Sequence, residues 1–393
     1  MHIHKVLSFL PEELLESLAI ETNVDYFAKK LYGSVILKLL LHSIINNKGN
    51  SLRTMEASYE SLFFSFINGG KLKKNISFSS ISERLTCINP DFFEKVFKGC
   101  VTAYKDSIGK DVESIIRFDS TIVALSIKLL KVGYLLKGGD AEKYRQLKFT
   151  VGHSEGGIPE IVLFFTAQRH NSENVALKET IDEQSKEEKE RIKVFDRGIT
   201  ARKSYDSFTD NGITFVSRLA VNANIDIVKA FDASATFPME TSTLKITSDN
   251  WCQLYGEKGY KAKHLVRVIK AVRLQDNTPI WFVTNDKKLE TEEVTEVYKR
   301  RWDIEVFFKF IKQLLNFSHL TNRSENGIKV VMYATMIASI LLVAYKKLNN
   351  LKGFKIMKLR FAAELEESIV YDLIKLCGGD LQKLMKIHTY NTS

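Results

Sequence analysis

The sequence of 393 residues contains few cysteines and few prolines, and both shortages exclude classes of protein. Its four cysteines are Cys87, Cys100, Cys252 and Cys377. No two of them have the spacing of a zinc site, so neither a structural zinc nor a disulfide framework is indicated. Only 5 residues are proline and 45% are hydrophobic, which excludes disordered and fibrous proteins. This length predicts about two or three folding units.

Targeting and membrane signals are also lacking. The start, MHIHKVLSFLPEELLESL, has neither the basic flank and apolar core nor the small-residue cleavage site of a signal peptide. The longest uncharged run, Val330–Tyr345, has 16 residues, whereas a membrane span needs about 20. We therefore expect this run to be a buried core helix, the protein to be intracellular, and no membrane to be a partner.

Positive charge is in excess, with 57 Lys+Arg against 47 Asp+Glu and a net charge of +10. This balance makes polyanions the first partners to consider. No Gly-rich phosphate-binding loop is present, which argues against a nucleotide cofactor. His153, His170 and His319 lack the neighbours expected of a zinc site or a nucleophile relay, so we expect structural or surface roles for them.

The hydrophobic pattern changes along the chain. Residues 1–110 are typical of short helices, which fit a small helical bundle and, less well, a helix-turn-helix DNA reader. From about residue 113, short β-branched strands alternate with helices, and residues 220–285 are again strand-like. A long helix, Leu289–Leu315, follows, and the remainder is helical. The sequence therefore predicts a mixed α/β fold with helical ends.

Two aspartates follow apolar strands. Asp119 comes directly after the segment IIRF, and Asp196 comes directly after IKVF. An acidic residue at the end of a buried strand lies at the edge of the sheet where α/β folds place ligand sites. Taken singly, each aspartate is better explained as a cap of the turn or helix that follows it.

The long helix carries a third carboxylate between two cations. In a regular helix, Tyr298, Arg301 and Lys312 would project within about 40° of Glu305, beside an apolar stripe that suits packing on a sheet. The plainer alternative is an exposed helix whose Glu and Arg form ion pairs four residues apart, each worth about 0.2–0.5 kcal/mol.

Three carboxylates brought together repel one another unless divalent cations lie among them. Sites made only of carboxylate oxygens suit Mg²⁺ or Mn²⁺. Two such ions about 3.5–4 Å apart activate the attacking oxygen and stabilise the leaving oxygen of a phosphodiester displacement. In that arrangement Arg301 and Lys312 would hold the flanking phosphates.

The spacing Tyr298-x2-Arg301-x3-Glu305-x6-Lys312 resembles the signature of the insertion-sequence-four family of DDE transposases. The segments RFDST, VFDRGI, GITFVSR and TND are also similar to that family and occur in the same order. The resemblance covers about residues 113–345 and, more loosely, the helical N-terminus.

The resemblance implies roles for seven residues. The catalytic and metal-binding triad would be Asp119, Asp196 and Glu305. The DNA contacts would be Tyr298, Arg301 and Lys312, together with Arg218, whose position is basic in relatives.

The resemblance also implies a ribonuclease H-like catalytic core interrupted by a β-rich insertion, between helical N- and C-terminal regions. The implied domains are a DNA-binding region (1–110), the first part of the core (111–219), the insertion (220–278), the second part of the core with the signature helix (279–330) and a C-terminal region (331–393). The insertion would account for the long separation of Asp196 from Glu305.

The activity implied is cut-and-paste transposition, in which the enzyme cleaves transposon ends with two Mg²⁺ ions (Mn²⁺ as a substitute) and transfers the 3′-hydroxyl ends to target DNA. The implied partners are double-stranded DNA, at the terminal inverted repeats and the target, and a second copy of the chain as a homodimer on DNA. The implied location is the cytoplasm, in association with the nucleoid. Two alternatives stay open: a ribonuclease H-like nuclease or resolvase that cuts without strand transfer, and a transposase-derived DNA-binding protein that does not cut.

Two further features are ambiguous in the sequence. Relatives carry a base-stacking Trp four residues before a Thr, whereas Trp281 lies three before Thr284 and so on the opposite strand face, which favours a core role. The basic residues within 257–275 divide between both faces of a strand. They fit a solvated edge strand as well as they fit phosphate contacts.

Overall fold

The computed structural model describes residues 2–46, 51–70, 72, 75–109, 114–125, 134–135, 145–317, 322 and 324–380. The prediction for His319 lies outside the described residues. The chain divides into two compact units, one of residues 1–110 and 310–393 and one of residues 111–309. The fold is mixed α/β, which confirms the predicted fold class.

The N-terminal part of the chain is helical. Its helices are α1 (Ile3–Leu7), α2 (Glu12–Thr22), α3 (Gly33–Asn46), α4 (Leu52–Tyr59), α5 (Leu62–Ile67), α6 (Phe78–Cys87) and α7 (Asp91–Ser107). Ser51, Ser61 and Ser77 accept a first-turn backbone N–H at the starts of α4, α5 and α6. Such caps satisfy amide groups that the helix itself leaves unpaired, so the short serine-led segments form helices.

The unit of residues 111–309 contains one mixed sheet and the helices that cover it. Its strands are β1 (Ile115–Leu125), β2 (Tyr134–Leu135), β3 (Arg145–Ser154), β4 (Pro159–Phe165), β5 (Ile192–Phe195), β6 (Phe215–Leu219), β7 (Ile225–Ala230), β8 (Met239–Glu240), β9 (Leu244–Leu254), β10 (Val266–Arg273) and β11 (Pro279–Thr284). Its helices are α8 (Glu173–Ser185), α9 (Arg202–Asp210), α10 (Thr291–Lys299) and α11 (Trp302–Leu314), the last of which continues past residue 309.

The strand order β4-β3-β1-β5-β6 forms the first half of the sheet. β1 pairs antiparallel with β3 and parallel with β5, while β5 pairs parallel with β6. This is the ribonuclease H-like arrangement that the resemblance implies. β11 then pairs antiparallel with β6, and β10, β9 and β7 follow in that order. The strands from residues 220–278 therefore lengthen the core sheet.

The two faces of the sheet are covered by different helices. Ile116 and Phe118 belong to a buried cluster with residues of α8 and α9. Ile115, which precedes Ile116 and therefore faces the other side of the sheet, belongs to a second cluster that includes Val294 and Val297 of α10. Because side chains alternate along a strand, the odd-numbered residues of β1 face α10.

The chain ends with α12 (Glu325–Leu348) and α13 (Phe354–Leu376). Every residue from Val330 to Tyr345 is buried, and α12 contacts α3, α6, α7 and α13. The predicted core helix is therefore confirmed. By length and composition α12 is the one helix among the described residues that would suffice to cross a membrane, but 94% of its most apolar stretch is buried. Helices from both chain ends thus build one unit, and the finer domain boundaries stay a prediction.

The predicted continuous helix Leu289–Leu315 is wrong, because the helix breaks between α10 and α11. At the break the N–H of Arg301 donates to the carbonyl of Tyr298 three residues back, at 2.9 Å. Two contacts hold the turn: Arg117 Nη2 lies 3.1 Å from Asp303 Oδ2, and Arg300 Nη1 donates to a Glu155 carboxylate oxygen at 2.8 Å.

We expect Gly152→Ala to lower the free energy of unfolding by about 1–3 kcal/mol, because overpacking forces its neighbours to shift. Gly152 lies on β3 between Phe118 and Ile161. A Cβ there would lie 2.6 Å from Ile161 Cγ2 and 3.0 Å from the Phe118 ring. Denaturant unfolding measures the change. Ile161→Ala is the matched partner: the double variant should lose less than the sum of the two single losses, and strict additivity would contradict the close contact.

Candidate active site

Adjacent strands bring Asp119, Asp196 and Arg218 into one row. Phe118 pairs with Phe195, and Phe195 pairs with Ser217. The next residue on each strand is Asp119, Asp196 or Arg218, so these three lie side by side on the face toward α10.

The two aspartates differ in their position along their strands. Asp196 directly follows β5, as predicted. Asp119 lies inside β1, so its predicted position at a strand end is wrong. The reason is that β1 continues in antiparallel pairing with β3 to Leu125, whereas its parallel pairing with β5 ends at Phe118.

Helix α10 holds Tyr298 over this row. The Tyr298 hydroxyl donates to Asp196 Oδ1 at 2.8 Å. Its ring packs against Phe282 of β11, with the ring centres 5.3 Å apart. Tyr298 therefore fixes the orientation of the Asp196 carboxylate.

Arg301, at the break between α10 and α11, connects the carboxylates. Its side chain is buried, with Nη2 2.5 Å from Glu305 Oε1 and Nη1 3.6 Å from Asp119 Oδ2. Its charge also lowers the pKa of Asp196. The three predicted triad members thus surround one buried guanidinium.

Burial raises the pKa of Asp119 to about 6. Repulsion from Glu173 and Glu305 acts in the same direction, while the Ser120 N–H and the charge of Arg301 oppose it. Crowding of like charges is the condition that a bound cation relieves.

The pKa of Asp196 is shifted the other way. Burial opposes ionisation, but the Arg197 N–H, the Tyr298 hydroxyl and the charges of Arg301 and Arg218 together hold the pKa below its ordinary value. Neighbouring aspartates therefore have different proton affinities because their surroundings differ.

A fourth carboxylate, Glu173, was missed by the sequence reasoning. Glu173 begins α8, where its Oε2 accepts from the Ser120 hydroxyl at 2.8 Å and its Oε1 accepts from Lys148 Nζ at 2.8 Å. Lys148 is only 1% exposed. These partners are distant in sequence, and no spacing rule relates them, so only the folded sheet brings Glu173 beside Asp119.

Lys312 and Trp281 lie outside this row of side chains. Lys312 is on the exposed side of α11, about two turns beyond Glu305. Trp281 packs on the α8 and α9 face of the sheet, with Lys270 Nζ 4.3 Å from its ring centre. The core role predicted for Trp281 is confirmed, because the carboxylates occupy the other face.

One residue of the basic strand has a structural role. Arg267 is fully buried and forms an ion pair with Asp249, at 2.5 Å. It also donates to the Leu289 carbonyl at 2.7 Å, and the Thr291 hydroxyl donates to Asp249 at 2.9 Å. Strands β9 and β10 therefore anchor the start of α10, the helix that carries Tyr298.

The histidines have structural surroundings where they are described. His153 is buried against Phe307, with ring centres 4.8 Å apart, and burial lowers its pKa to about 3. His170 Nε2 lies 2.9 Å from a carboxylate oxygen of Glu179. Both fit the predicted structural roles.

The donor set fits a hard divalent cation in its chemistry, because the side chains that converge are carboxylates. Among the residues that the structure describes, no three acidic, His or Cys side chains are grouped closely enough to hold an ion as they stand. Asp119 and Asp196 are neighbours, whereas Glu305 is held by Arg301.

The chain matches the model of a protein family described as the transposase DDE domain over residues 112–341. Three curated proteins described as transposases are similar. The one for insertion sequence element IS5377 of Geobacillus stearothermophilus is 28% identical over 39% of each chain. The one for element IS4SA of Synechocystis sp. is 24% identical over 69% of this chain and 77% of its own. Transposase y4zB of Sinorhizobium fredii is 25% identical over 40% of this chain and 43% of its own.

We expect Asp119→Asn to raise the thermal unfolding midpoint at pH 8 by about 2–6 °C, by about half as much at pH 5, and by little at pH 3. The folded pKa is about 6, above the ordinary value near 4. The folded state therefore binds more protons between these values, and the ionised carboxyl lowers stability as the pH rises through them. Calorimetry in EDTA measures the midpoint.

The matched control for this prediction is Asp276→Asn. The Thr278 N–H lowers the pKa of this exposed aspartate, so its substitution should give no gain at pH 8. An Asp119→Asn midpoint below that of the unsubstituted protein at pH 8 would contradict the assigned burial of charge.

Proposed function

The chain belongs to the DDE transposase family, and from that premise we propose that it cleaves DNA at the ends of an insertion sequence and transfers the 3′-hydroxyl ends to target DNA. The observation that carries the proposal is the convergence of Asp119, Asp196 and Glu305 on Arg301 at one edge of a ribonuclease H-like sheet. Transposase relatives imply DNA as the partner.

We propose Asp119, Asp196 and Glu305 as ligands of two divalent cations, Mg²⁺ with Mn²⁺ as a substitute. DDE transposases generally use divalent metal ions. When bound, such ions supply activation of the attacking oxygen and stabilisation of the leaving oxygen. Tyr298 has a separate task in the proposal: it keeps Asp196 oriented and ionised.

Arg301 and Arg218 are proposed to bind the phosphates that flank the scissile bond. The Nε of each is buried and has no hydrogen-bond partner among the described residues. A buried N–H donor without a partner costs free energy, and a phosphate oxygen would accept a hydrogen bond from each Nε–H. The planar guanidinium also suits a phosphate better than an ammonium does. Lys312 is proposed as a further phosphate contact, acting as a point charge on the exposed side of α11.

The proposal extends to the assembly and its location. We infer a homodimer on DNA that pairs two transposon ends. Its double-stranded DNA partners would be the inverted repeats and the target. It would work in the cytoplasm, in association with the nucleoid. The helices of residues 1–110 are proposed as the DNA-binding region, supported by the family resemblance alone.

We expect Glu305→Gln to reduce cleavage of the element's own ends by about a thousand-fold or more, and Asp119→Asn and Asp196→Asn to do the same. A loss of several kcal/mol of transition-state stabilisation corresponds to such a factor. Gel assays of end cleavage and strand transfer with Mg²⁺, and with EDTA as the metal-free arm, measure both steps.

The control is Glu296→Gln, because Glu296 is exposed on α10 and pairs with Lys299. It should retain full activity. Cleavage without strand transfer would favour the nuclease or resolvase alternative. A protein that binds the ends and never nicks them would favour the DNA-binding alternative.

We expect Arg218→Ala and Lys312→Ala to weaken binding to all DNA sequences about equally. Each loss of a phosphate contact should reduce the slope of log K against log salt by about 0.9. Fluorescence anisotropy across a salt series measures the slope. Lys186→Ala is the control, since Lys186 lies at the end of α8, on the other side of the sheet and paired with Glu183. An unchanged slope in both test variants would refute the proposed contacts.

A further inference from the structure

The carboxylate Glu173 contacts two segments of the candidate site. Its Oε2 accepts from the Ser120 hydroxyl of β1 at 2.8 Å. Its stem packs on the loop that follows β5, because a Cβ at Gly198 would lie 3.0 Å from both Cβ and Cγ of Glu173. Ser120 directly follows Asp119, and Gly198 lies two residues after Asp196. Glu173 therefore connects the two chain segments that carry the aspartates.

A chain of hydrogen bonds holds Glu173 and Ser120 in place. Lys148 Nζ donates to Glu173 Oε1 at 2.8 Å and to the Asn171 carbonyl at 2.7 Å. The hydroxyl hydrogen of Ser120 goes to Glu173, so the Thr150 hydroxyl, 2.9 Å away, donates to Ser120 Oγ. Thr150 and Lys148 are both buried. Ser120 is thus fixed on two sides.

The residue after Glu173 strengthens the connection to the second segment. Asn174 Oδ1 accepts the N–H of Thr200 at 2.7 Å and the N–H of Ala201 at 2.8 Å. Ala201 is the residue at which α9 begins. The start of α8 is therefore fastened to the loop between Asp196 and α9, as well as to β1 and β3.

Stability alone does not account for the ion pair between Lys148 and Glu173. Replacement of a buried ion pair by apolar side chains is often neutral or stabilising. The pair also has a cost, because the negative charge of Glu173 contributes to the raised pKa of Asp119. A carboxylate held at such a place suits a metal site, where groups that orient the ligands contribute strongly to affinity.

We propose that Glu173 is a positioning residue of the cation site. Through Ser120 it fixes the segment that carries Asp119, and through Gly198 it fixes the segment that carries Asp196. The two carboxylates thereby keep one separation when a cation binds. Glu173 acts through these residues and touches neither the cation nor DNA. The inference rests on the proposed function, because it takes both aspartates as cation ligands.

The test is binding of Mn²⁺ to the full chain without DNA, measured by electron paramagnetic resonance of the free ion. Ser120→Ala and Glu173→Gln should each bind Mn²⁺ about 10- to 100-fold more weakly, the range for loss of a group that orients metal ligands. In Glu173→Gln the amide oxygen is needed by Lys148, so the amide N–H₂ faces Ser120 and the original hydrogen bond is lost.

A double variant and a conservative variant sharpen the test. Because both substitutions break one hydrogen bond, Ser120→Ala combined with Glu173→Gln should bind Mn²⁺ no more weakly than the weaker single variant. Ser120→Thr keeps the hydroxyl and should retain the affinity. Unchanged affinity in both single variants would overturn the proposal. A loss in only one of them would also overturn it, because Ser120 and Glu173 would then act independently.

Glu183→Gln is the matched control. It removes the same charge from α8 about 15 Å further along the helix, where Glu183 pairs with Lys186. Its affinity for Mn²⁺ should be unchanged, and a loss equal to that of Glu173→Gln would overturn the proposal by showing an effect of net charge.

Thermal unfolding in EDTA separates positioning from loss of the fold. The affinity is measured well below the unfolding midpoint of each variant, where a merely structural role would leave it unchanged. If Glu173→Gln does not fold, the comparison of Ser120→Ala with Ser120→Thr decides, because both keep the ion pair of Lys148 intact.

Cleavage of the element's ends is titrated with Mn²⁺ in the same variants. The loss of cleavage should be recovered at higher Mn²⁺ concentration, because the cation ligands themselves remain. A loss that persists at every concentration would place Glu173 in the chemical step and overturn the positioning role.

The outcomes for the positioning role and for the proposed function can be told apart. If the unsubstituted protein cleaves the ends and Ser120→Ala binds Mn²⁺ normally, the positioning role fails while the proposed function stands. If the single variants bind Mn²⁺ more weakly but the unsubstituted protein never cleaves the ends, the proposed function fails while the positioning role stands. Absence of Mn²⁺ binding by the unsubstituted protein would overturn both.

Discussion

The ion contacts of Arg301 are the interaction on which the candidate site depends. Its guanidinium is buried between Glu305 and Asp119 and within electrostatic reach of Asp196. Without this positive charge, three partly buried carboxylates would repel one another and their ionised forms would be disfavoured. The pKa of Asp119 stays raised because burial, together with weaker repulsion from Glu173 and Glu305, outweighs the Ser120 N–H and the charge of Arg301. A further cation beside these carboxylates would favour their ionised forms.

A rigid framework places Arg301 where it can act. Arg117 and Glu155 hold the turn between α10 and α11 against the sheet. At the other end of α10, Arg267 and Asp249 hold the residues before and at its start. The strands between residues 220 and 278 thus contribute to the site without lining it, because they fix the helix that carries Tyr298. The half-buried Trp281 packs on the opposite face of the sheet from the carboxylates.

Much of this arrangement could be predicted from local sequence. The apolar segments that precede Asp119 and Asp196, and the apolar stripe of the signature helix, indicate a sheet and a helix packed on it. The helix break could not be predicted, because Tyr298 to Lys312 continues a helical pattern and the contacts at the break come from residues distant in sequence, Arg117 on β1 and Glu155 in the turn after β3. Glu173 was missed for the same reason: its partners Ser120 and Lys148 are on β1 and β3. The role of the basic residues around Arg267 was ambiguous in the sequence. The alternation of side chains along a strand cannot show which of them forms a buried ion pair.

The sequence by itself determined which residue types were available and at what spacing, and hence the mixed α/β class, the buried α12 and the carboxylates with their neighbouring cations. These properties depend on periodicity, which is a local property of the chain. Only the tertiary structure decided that Asp119 and Asp196 are neighbours and that Glu305 forms an ion pair with Arg301. It also decided that helices from both chain ends form one unit. Strand register and long-range ion pairs decide these matters, and both join residues that no local pattern relates.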